Sequence, residues 1–326
     1  MDENMLKIRI LKPIDNLCDY TFNFCWNDSK LQPEDVIPSQ EGTSFTYADL
    51  VAELKAGRDV CIDGNAGKRL AYSAGTDLKH LGGTGGTEKA GNIFVEGDVG
   101  PEAGMGMASG SIYIKGNIEE PWGNILEVTS DVEGYRKFRS ITDLISNGPG
   151  KDTLKNNSLS ENTLKLNDGI LRGTVGARCN WQGIILVEGD VYNGTGVLMQ
   201  QGTIMIKGDA GMNTGSHLDG GTVVVHGSVG EFSGAYMKDG RLIFINAKGY
   251  VGAGMTGGAI YSKKKVSTSP PAVKARLEKD DIELIRRTME TGRVESMLYN
   301  KYEPEKEKEK FVTVHMRDGS IVMRRI

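Results

Sequence analysis

Gly183, Gly202, Gly221 and Gly240 stand 19 residues apart, and the segments between them repeat one pattern. GTIMIKGDAGMNTGSHLDG from Gly202 is followed by GTVVVHGSVGEFSGAYMKD from Gly221, and GNIFVEGDVGPEAGMGMAS from Gly91 runs into GSIYIKGNIEEPWGN from Gly110. Self-similarity at a fixed period near 20 residues specifies a solenoid. Each coil of a solenoid buries its core only against its neighbours. The chain is therefore first of all a long ordered surface.

Within each copy the chemistry recurs position by position. Two and four residues after the leading glycine stand Ile93/Val95, Ile112/Ile114, Ile185/Val187, Ile204/Ile206, Val223/Val225 and Leu242/Phe244. That period of two is a short strand with one face inward. Gly97, Gly116, Gly189, Gly208 and Gly227 follow at offset 6, as expected of structural corners needing a positive φ or a close coil-to-coil approach. Another glycine recurs at offset 13 (Gly104, Gly123, Gly196, Gly215, Gly234) and Met or Leu at offset 16. A helix would not tolerate this much glycine, at ~1 kcal/mol each. The pattern predicts an all-β chain built as a parallel β-helix of about 19 residues per coil.

Fainter coils extend the stack: Val60, Ile62, Gly64 and Ala66 match from Arg58, and Leu171, Gly173, Val175 and Gly176 match from Asn167. The expected organisation is an N-terminal cap segment at 1–56, a β-helix at 57–261 with an insertion at about 129–166, and a tail at 262–326. In the cap, Thr46 is placed to start a short helix with Leu50, Val51 and Leu54 inward. In the tail, SKKKVSTSPP (262–271) reads as a linker and DDIELIRRTMETG as a helix. Asp280 or Asp281 would cap that helix, with Ile282, Ile285 and Met289 buried and Gly292 ending it. FVTVHMRDGSIVMRRI reads as a hairpin turning at Asp318-Gly319, on a charged tether suited to gripping a partner.

A net charge of −4 with mixed signs argues against a nucleic-acid partner, and no apolar run is long enough for a membrane helix. Cys18, Cys25, Cys61 and Cys179 are scattered without ligand spacing and read as reduced thiols of a cytoplasmic protein. No catalytic, cofactor-binding or metal-binding residues emerge. GGTGGT (82–87) could cradle a phosphate, but it lacks the Lys-Ser/Thr of a P-loop and reads as an irregular corner. His80, His217, His226 and His315 are isolated, with His226 expected to face solvent. Glu96–Lys115 and Glu188–Lys207, one coil apart, read as surface ion pairs.

One feature resists a purely architectural reading. Offset 3 should face outward, yet it holds Phe94, Tyr113, Leu186, Met205, Val224 and Ile243. An apolar ladder on the outer face of a solenoid must be covered. Either the chain's own insertion and C-terminal helix lie on it, or another protein subunit does, making these six residues a partner interface.

GYVGAGMTGG (249–258), GMNTGSHLDGG (211–221) and GEFSGAYMKDG (230–240) resemble the GXGXG repeat family. That family includes the C subunit of formylmethanofuran dehydrogenase and the C-terminal domain of the glutamate synthase large subunit. The resemblance implies a right-handed β-helix that is structural, with catalysis in neighbouring subunits or domains. It implies a scaffold in a one-carbon-metabolism oxidoreductase complex of methanogenesis, whose partners carry molybdopterin or tungstopterin and metals. The alternative it implies is a stand-alone component of a glutamate synthase-like complex, with FMN and Fe–S partners. An independent enzyme, such as a carbohydrate-active β-helix, is a third reading.

Overall fold

The structure, a computed structural model, describes residues 5–22, 31–305, 311–315 and 321–325. Parallel strands stack in the register set by the repeat. Leu164, Ile185, Ile204, Val223, Leu242 and Ile260 pair in succession, one per coil, and all are buried. Near the N-terminus Ile8, Ile62, Val95 and Ile114 form the matching column. On a second edge Ile14, Ala66, Val99 and Ile118 bridge in parallel, as do Val191, Ala210 and Val229. The result is the expected β-solenoid, of about nine turns. Each strand pairs edge to edge with the coils above and below, and its period-two apolar residues fill the interior because one face points inward.

The first coil lies earlier than the sequence suggested. Leu6–Ile10 pairs in parallel with Val60–Asp63, and Ile14 bridges to Ala66. Residues 5–22 are thus a rung of the solenoid rather than part of a separate cap, and their missing glycines hid them. Helix α1 (Tyr47–Lys55) has the foreseen Thr46 cap and buries Tyr47, Leu50, Val51 and Leu54. It packs these into the same core as Ile8 and Ile62.

The insertion interrupts the sheet on one side only. Arg136–Ser140 pairs antiparallel with Ser111–Ile114 and with Ile125–Val128, and α2 (Ile141–Asn147) follows it. The other side stays continuous, since Trp122 bridges in parallel to Arg172. Thr163–Leu166 already belongs to the next coil, pairing with Ile184 to Val187. The coil read from Asn167 therefore starts some five residues too late, and Gly176 is its left-handed glycine rather than an offset-9 residue.

At the C-terminal end the proposed linker is ordered backbone: Val251 bridges to Thr268, and Gly254 donates to Pro270. Asn300–Pro304 then pairs antiparallel with Ala259–Ser262 and ends the parallel stack. Helix α3 (Lys279–Thr288) is capped by Glu278, with Asp281 in the third position of a capping box. Ile285 and Met289 are buried as expected, whereas Ile282 is half-exposed. Gly292 precedes a short helix, α4 (Arg293–Ser296). Phe311–His315 and Ile321–Arg325 pair as a hairpin, but its expected Asp318-Gly319 turn lies outside the described residues.

The offset-6 glycines are corners for a reason other than a positive φ, which none of the five has. Their coils approach too closely for a side chain. A Cβ on Gly208 would lie 2.1 Å from Asp190 Oδ1 and 2.8 Å from the Asp190 nitrogen, and one on Gly227 would lie 2.1 Å from Asp209 Oδ1. Those carboxylates are themselves structural. Asp190 Oδ1 accepts the Asp209 amide and Asp209 Oδ1 the Ser228 amide, both at 2.7 Å. Asn65, Asp98 and Asn117 make the same ladder in the first coils. Gly189 is the exception, with nothing within 4 Å of its virtual Cβ, because the irregular coil before it supplies no such side chain.

Two measurable consequences follow from these contacts. Gly208→Ala should destabilise the fold by about 2 kcal/mol or more, while Gly189→Ala should be neutral or stabilising by up to ~1 kcal/mol. Equal melting temperatures for the two variants would refute the close-approach explanation. The second concerns His226, whose Nε2 is buried without a hydrogen-bond partner among the described residues. Burial first, and Lys207 second, hold its pKa below the usual histidine value. A depressed folded pKa means that stability is fullest above the ordinary histidine range and declines as pH falls through it. Amides of α3 should exchange faster at pH ~5.5 than at ~7.5 after correction for intrinsic rates, and His226→Gln should remove much of that difference.

Candidate functional site

The offset-3 ladder is largely an internal seam. Phe94 and Tyr113 stack with centroids 4.5 Å apart and are only 6% and 5% exposed. Tyr135 of the insertion sits edge-on to Phe94, and Met5 and Val132 complete the cover. Tyr113 donates to Asp131 at 2.9 Å. At the other end Val224 and Ile243 lie fully buried beneath Ile285 and Met289 of the C-terminal region, with Tyr261 alongside. Tyr261 donates to Asp281 at 2.6 Å, and Lys301 pairs with the same carboxylate at 2.9 Å. These four residues are thus covered by their own chain, which corrects their reading as a partner interface. Met205 packs half-buried against that same C-terminal cluster, and Leu186 is half-buried.

The ion pairs are rearranged accordingly. Glu96 bonds Lys115 as expected and also accepts from Tyr135. Glu188 instead pairs with Lys165 at 2.9 Å, and Lys207 turns to Glu290 beyond α3 at 3.3 Å. His226 lies half-covered there rather than facing solvent. Cys18, Cys61 and Cys179 are buried free thiols, and burial pushes Cys179 up to about 11. Cys25 lies outside the described residues, as do the side chains of His80 and His315.

The surface that does present side chains lies elsewhere, on a backbone run that sequence reading treated as plain corners. At offsets 11, 13 and 15 the chain repeatedly takes a left-handed φ: Asn213, Gly215 and His217 in one coil, Phe232, Gly234 and Tyr236 in the next. The middle position points into the core, where a Cβ on Gly234 would lie 2.6 Å from Ile260 Cδ1. The flanking positions point outward and form two columns. One contains Arg178, Leu198, His217 and Tyr236; the other contains Asn213, Phe232 and Tyr250. His217 stacks on Tyr236 at 5.0 Å and Phe232 on Tyr250 at 4.9 Å. Aromatic rings two residues before or after the left-handed glycines, at His217, Phe232, Tyr236 and Tyr250, were the available signal.

Beside these columns stands the glycine-rich segment. Thr76 bridges Thr87, and Asp77 accepts from both the amide and the hydroxyl of Thr84, at 2.7 and 2.8 Å. The Gly82, Gly83 and Gly85 amides go to Lys79, Leu78 and Asp77 carbonyls, and the Gly86 amide goes to Thr84 Oγ1. A phosphate cradle needs free amides, and these are spent within the loop. Gly85 offers its carbonyl to Arg178 Nη1 at 3.0 Å.

Three cavities border this edge. The largest, about 1000 Å³, lies between the Thr87–Asn92 segment and the insertion, and Lys137, Arg139, Asp143 and Asp152 line it. Lys137 and Arg139 are tied to Asp152, each at 3.1 Å, so most of its charge is internally matched. A second cavity of about 500 Å³ opens between the glycine-rich loop and the Arg178–His217 column. The third, about 430 Å³, is bounded by Tyr72, Met105, Phe232 and Tyr236. Among the described residues no three His, Cys, Asp or Glu side chains are grouped to hold a metal, and no helix is long and apolar enough to cross a membrane.

Comparison with known proteins agrees with the glycine pattern. The model of the GXGXG motif family matches residues 161–314. An uncharacterized protein of Methanothermobacter thermautotrophicus is 42% identical over 202 residues. The match takes in 61% of this chain, and this chain spans 65% of the length of that relative. Among solved structures, the formyltransferase/hydrolase complex (FhcABCD) from Methylorubrum extorquens, determined with methylofuran, contains a chain 18% identical to this one. The match covers 87% of each chain but has a TM-score of 0.29, too distant to inform fold or function. Residues 161–314 carry the GXGXG motif, as the resemblance of 211–258 implied.

Proposed function

We propose that this chain is a non-catalytic scaffold subunit of a one-carbon-metabolism oxidoreductase complex similar to formylmethanofuran dehydrogenase. In this reading molybdopterin or tungstopterin and the metals belong to its partners. The reading rests on the GXGXG grammar and, for this chain's own surface, on one observation. Phe232, Tyr236 and Tyr250 are 37%, 58% and 52% exposed although each is held in a fixed left-handed backbone position. Met212, next to Asn213 of the same column, is also exposed. Contiguous exposed apolar groups mark interaction surfaces, and aromatic side chains dominate the energetics of such interfaces. A side chain already stacked on its neighbour loses less freedom on binding.

The coil geometry makes the patch separable from the fold. Tyr236→Ser with Tyr250→Ser should weaken partner association by about 2 kcal/mol or more, roughly 30-fold. The melting temperature should stay near that of the parent, since neither residue is buried. Full partner recovery from a lysate of the source cells with the double variant would place the interface elsewhere. A separate measurement addresses cofactors: the isolated chain is expected to purify without stoichiometric metal, flavin or pterin. A homogeneous preparation holding any of these in equimolar amount would overturn the scaffold reading.

A further inference from the structure

Arg178 is electrostatically anomalous within this chain. Among the described residues, the other arginines that are not fully exposed each meet a carboxylate. Arg69 pairs with Glu102, Arg136 with Glu127, Arg139 with Asp143 and Asp152, and Arg172 with Asp168. Arg178 is half-buried, yet it donates from Nη1 to the Gly85 carbonyl, and no carboxylate among the described residues pairs with it. Its side chain is desolvated enough to lower the guanidinium's pKa from its ordinary value. Removing a cation from water without a counter-charge is costly, and the chain spends that cost at one place.

The surroundings of Arg178 do not supply the missing charge. Arg178 borders the 1000 Å³ cavity, but the carboxylates there are engaged elsewhere: Glu88 pairs with Lys55, Asp143 and Asp152 pair with Arg139, and Asp59 accepts from the Asn92 amide. Arg178 also lines the 500 Å³ cavity together with Lys79, Lys238 and His217, and Asp219 is the one carboxylate in that lining. Asp219 forms no ion pair with any of the three cations within the described structure, and the cavity carries a surplus of positive charge. The loop that forms its other wall is braced by its own hydrogen bonds, so Gly85 holds the guanidinium in a fixed place. Guanidinium presents five N–H donors in a planar fork that matches two oxygens of a carboxylate or phosphate. The volume falls within the ~300–1,000 Å³ range of small-molecule sites.

We propose that this cavity binds a small oxyanion of the phosphate or carboxylate class, with Arg178 contacting the anion and Lys79 and Lys238 adding charge. The inference is independent of the scaffold reading, because the site lies wholly within one chain. Binding of the anion replaces the water that Arg178 has lost and removes the charge surplus. His217 shares the wall and feels the Lys238 charge, so it reports occupancy.

The test is calorimetric titration of the full chain with inorganic phosphate and, separately, with succinate, at constant ionic strength balanced by chloride. Saturable one-site binding of either is expected. Phosphate binding alone assigns the phosphate class, and succinate binding alone assigns the carboxylate class. Arg178→Gln should weaken the binding by about tenfold or more, and the anion should raise the His217 pKa measured by NMR. Should Arg178→Gln fail to fold, the double variant Lys79→Ser/Lys238→Ser, at two exposed positions, should lose affinity several-fold. Absence of saturation by both anions below ~10 mM overturns the proposal. So does binding that the substitutions leave unchanged, or an anion that leaves the His217 titration unmoved.

Discussion

The closeness of successive coils at their glycine corners governs the rest of this structure. Asp190 reaches across to the Asp209 amide, and Asp209 reaches across to the Ser228 amide. The oxygen that makes each bond occupies the space a Cβ would need on Gly208 or Gly227. The Gly-Asp dipeptide is therefore one device: the aspartate satisfies a backbone donor of the next coil, and the next coil's glycine makes room for it. Each such bond lies at an exposed corner and has a modest net value of ~1 kcal/mol, but it recurs from coil to coil. The repeat at offsets 6 and 7 is the sequence trace of that requirement.

The insertion shows how a stack of this kind tolerates interruption. Asn124 is fully buried, donates to the Met107 carbonyl and to Thr142 Oγ1, and accepts the Gly176 amide at 3.0 Å. Thr142 passes the connection on to the Ala177 carbonyl at 2.6 Å. Arg172 stacks over Trp122, donates to the Ile125 carbonyl at 3.0 Å and forms a two-pronged pair with Asp168. Side chains thus carry the coil-to-coil bonding across the place where backbone pairing is diverted to 136–140. A buried polar network is stabilising when its members are matched, as Asn124, Thr142, Arg172 and Asp168 are here, whereas Trp122 Nε1 finds no partner among the described residues.

Most of the solenoid was legible because its period is written in glycine and in alternating apolar residues. The first coil was not: Leu6, Ile8 and Ile10 alternate correctly, but a strand of five residues without following glycines looks like any strand. The coil before Gly183 was misregistered for a related reason. Leu164 and Leu166 carry the core positions, but this coil is longer than the common repeat, and the extra length shifts Gly176 relative to the common spacing. The offset-3 ladder posed a different problem. Its apolar character shows that something covers it, while the identity of the cover depends on where 129–147 and α3 fold back. That is tertiary information, carried by residues such as Tyr135, Val132 and Ile285 that lie outside the repeat. Arg178 was invisible for the opposite reason, since an unpaired cation is defined by what fails to approach it.

The left-handed positions connect the fold to recognition. A non-glycine residue with positive φ is uncommon and mildly strained, yet Asn213, His217, Phe232, Tyr236 and Tyr250 all adopt it. The glycine between them also has a left-handed φ and faces the core, where Ile260 or Val223 crowds the space behind Gly234 or Gly196, although Gly215 has room. With the centre forced inward, both flanking side chains are directed outward, one per coil on each column. Their backbone is fixed by bonds such as His217 N–H to the Ala235 carbonyl and Tyr236 N–H to the Ala253 carbonyl. The stack therefore produces ordered outward rows as a by-product of packing its core. Substitution along those rows changes what is displayed while leaving the apolar columns intact, so recognition can diversify on this edge without loss of the solenoid.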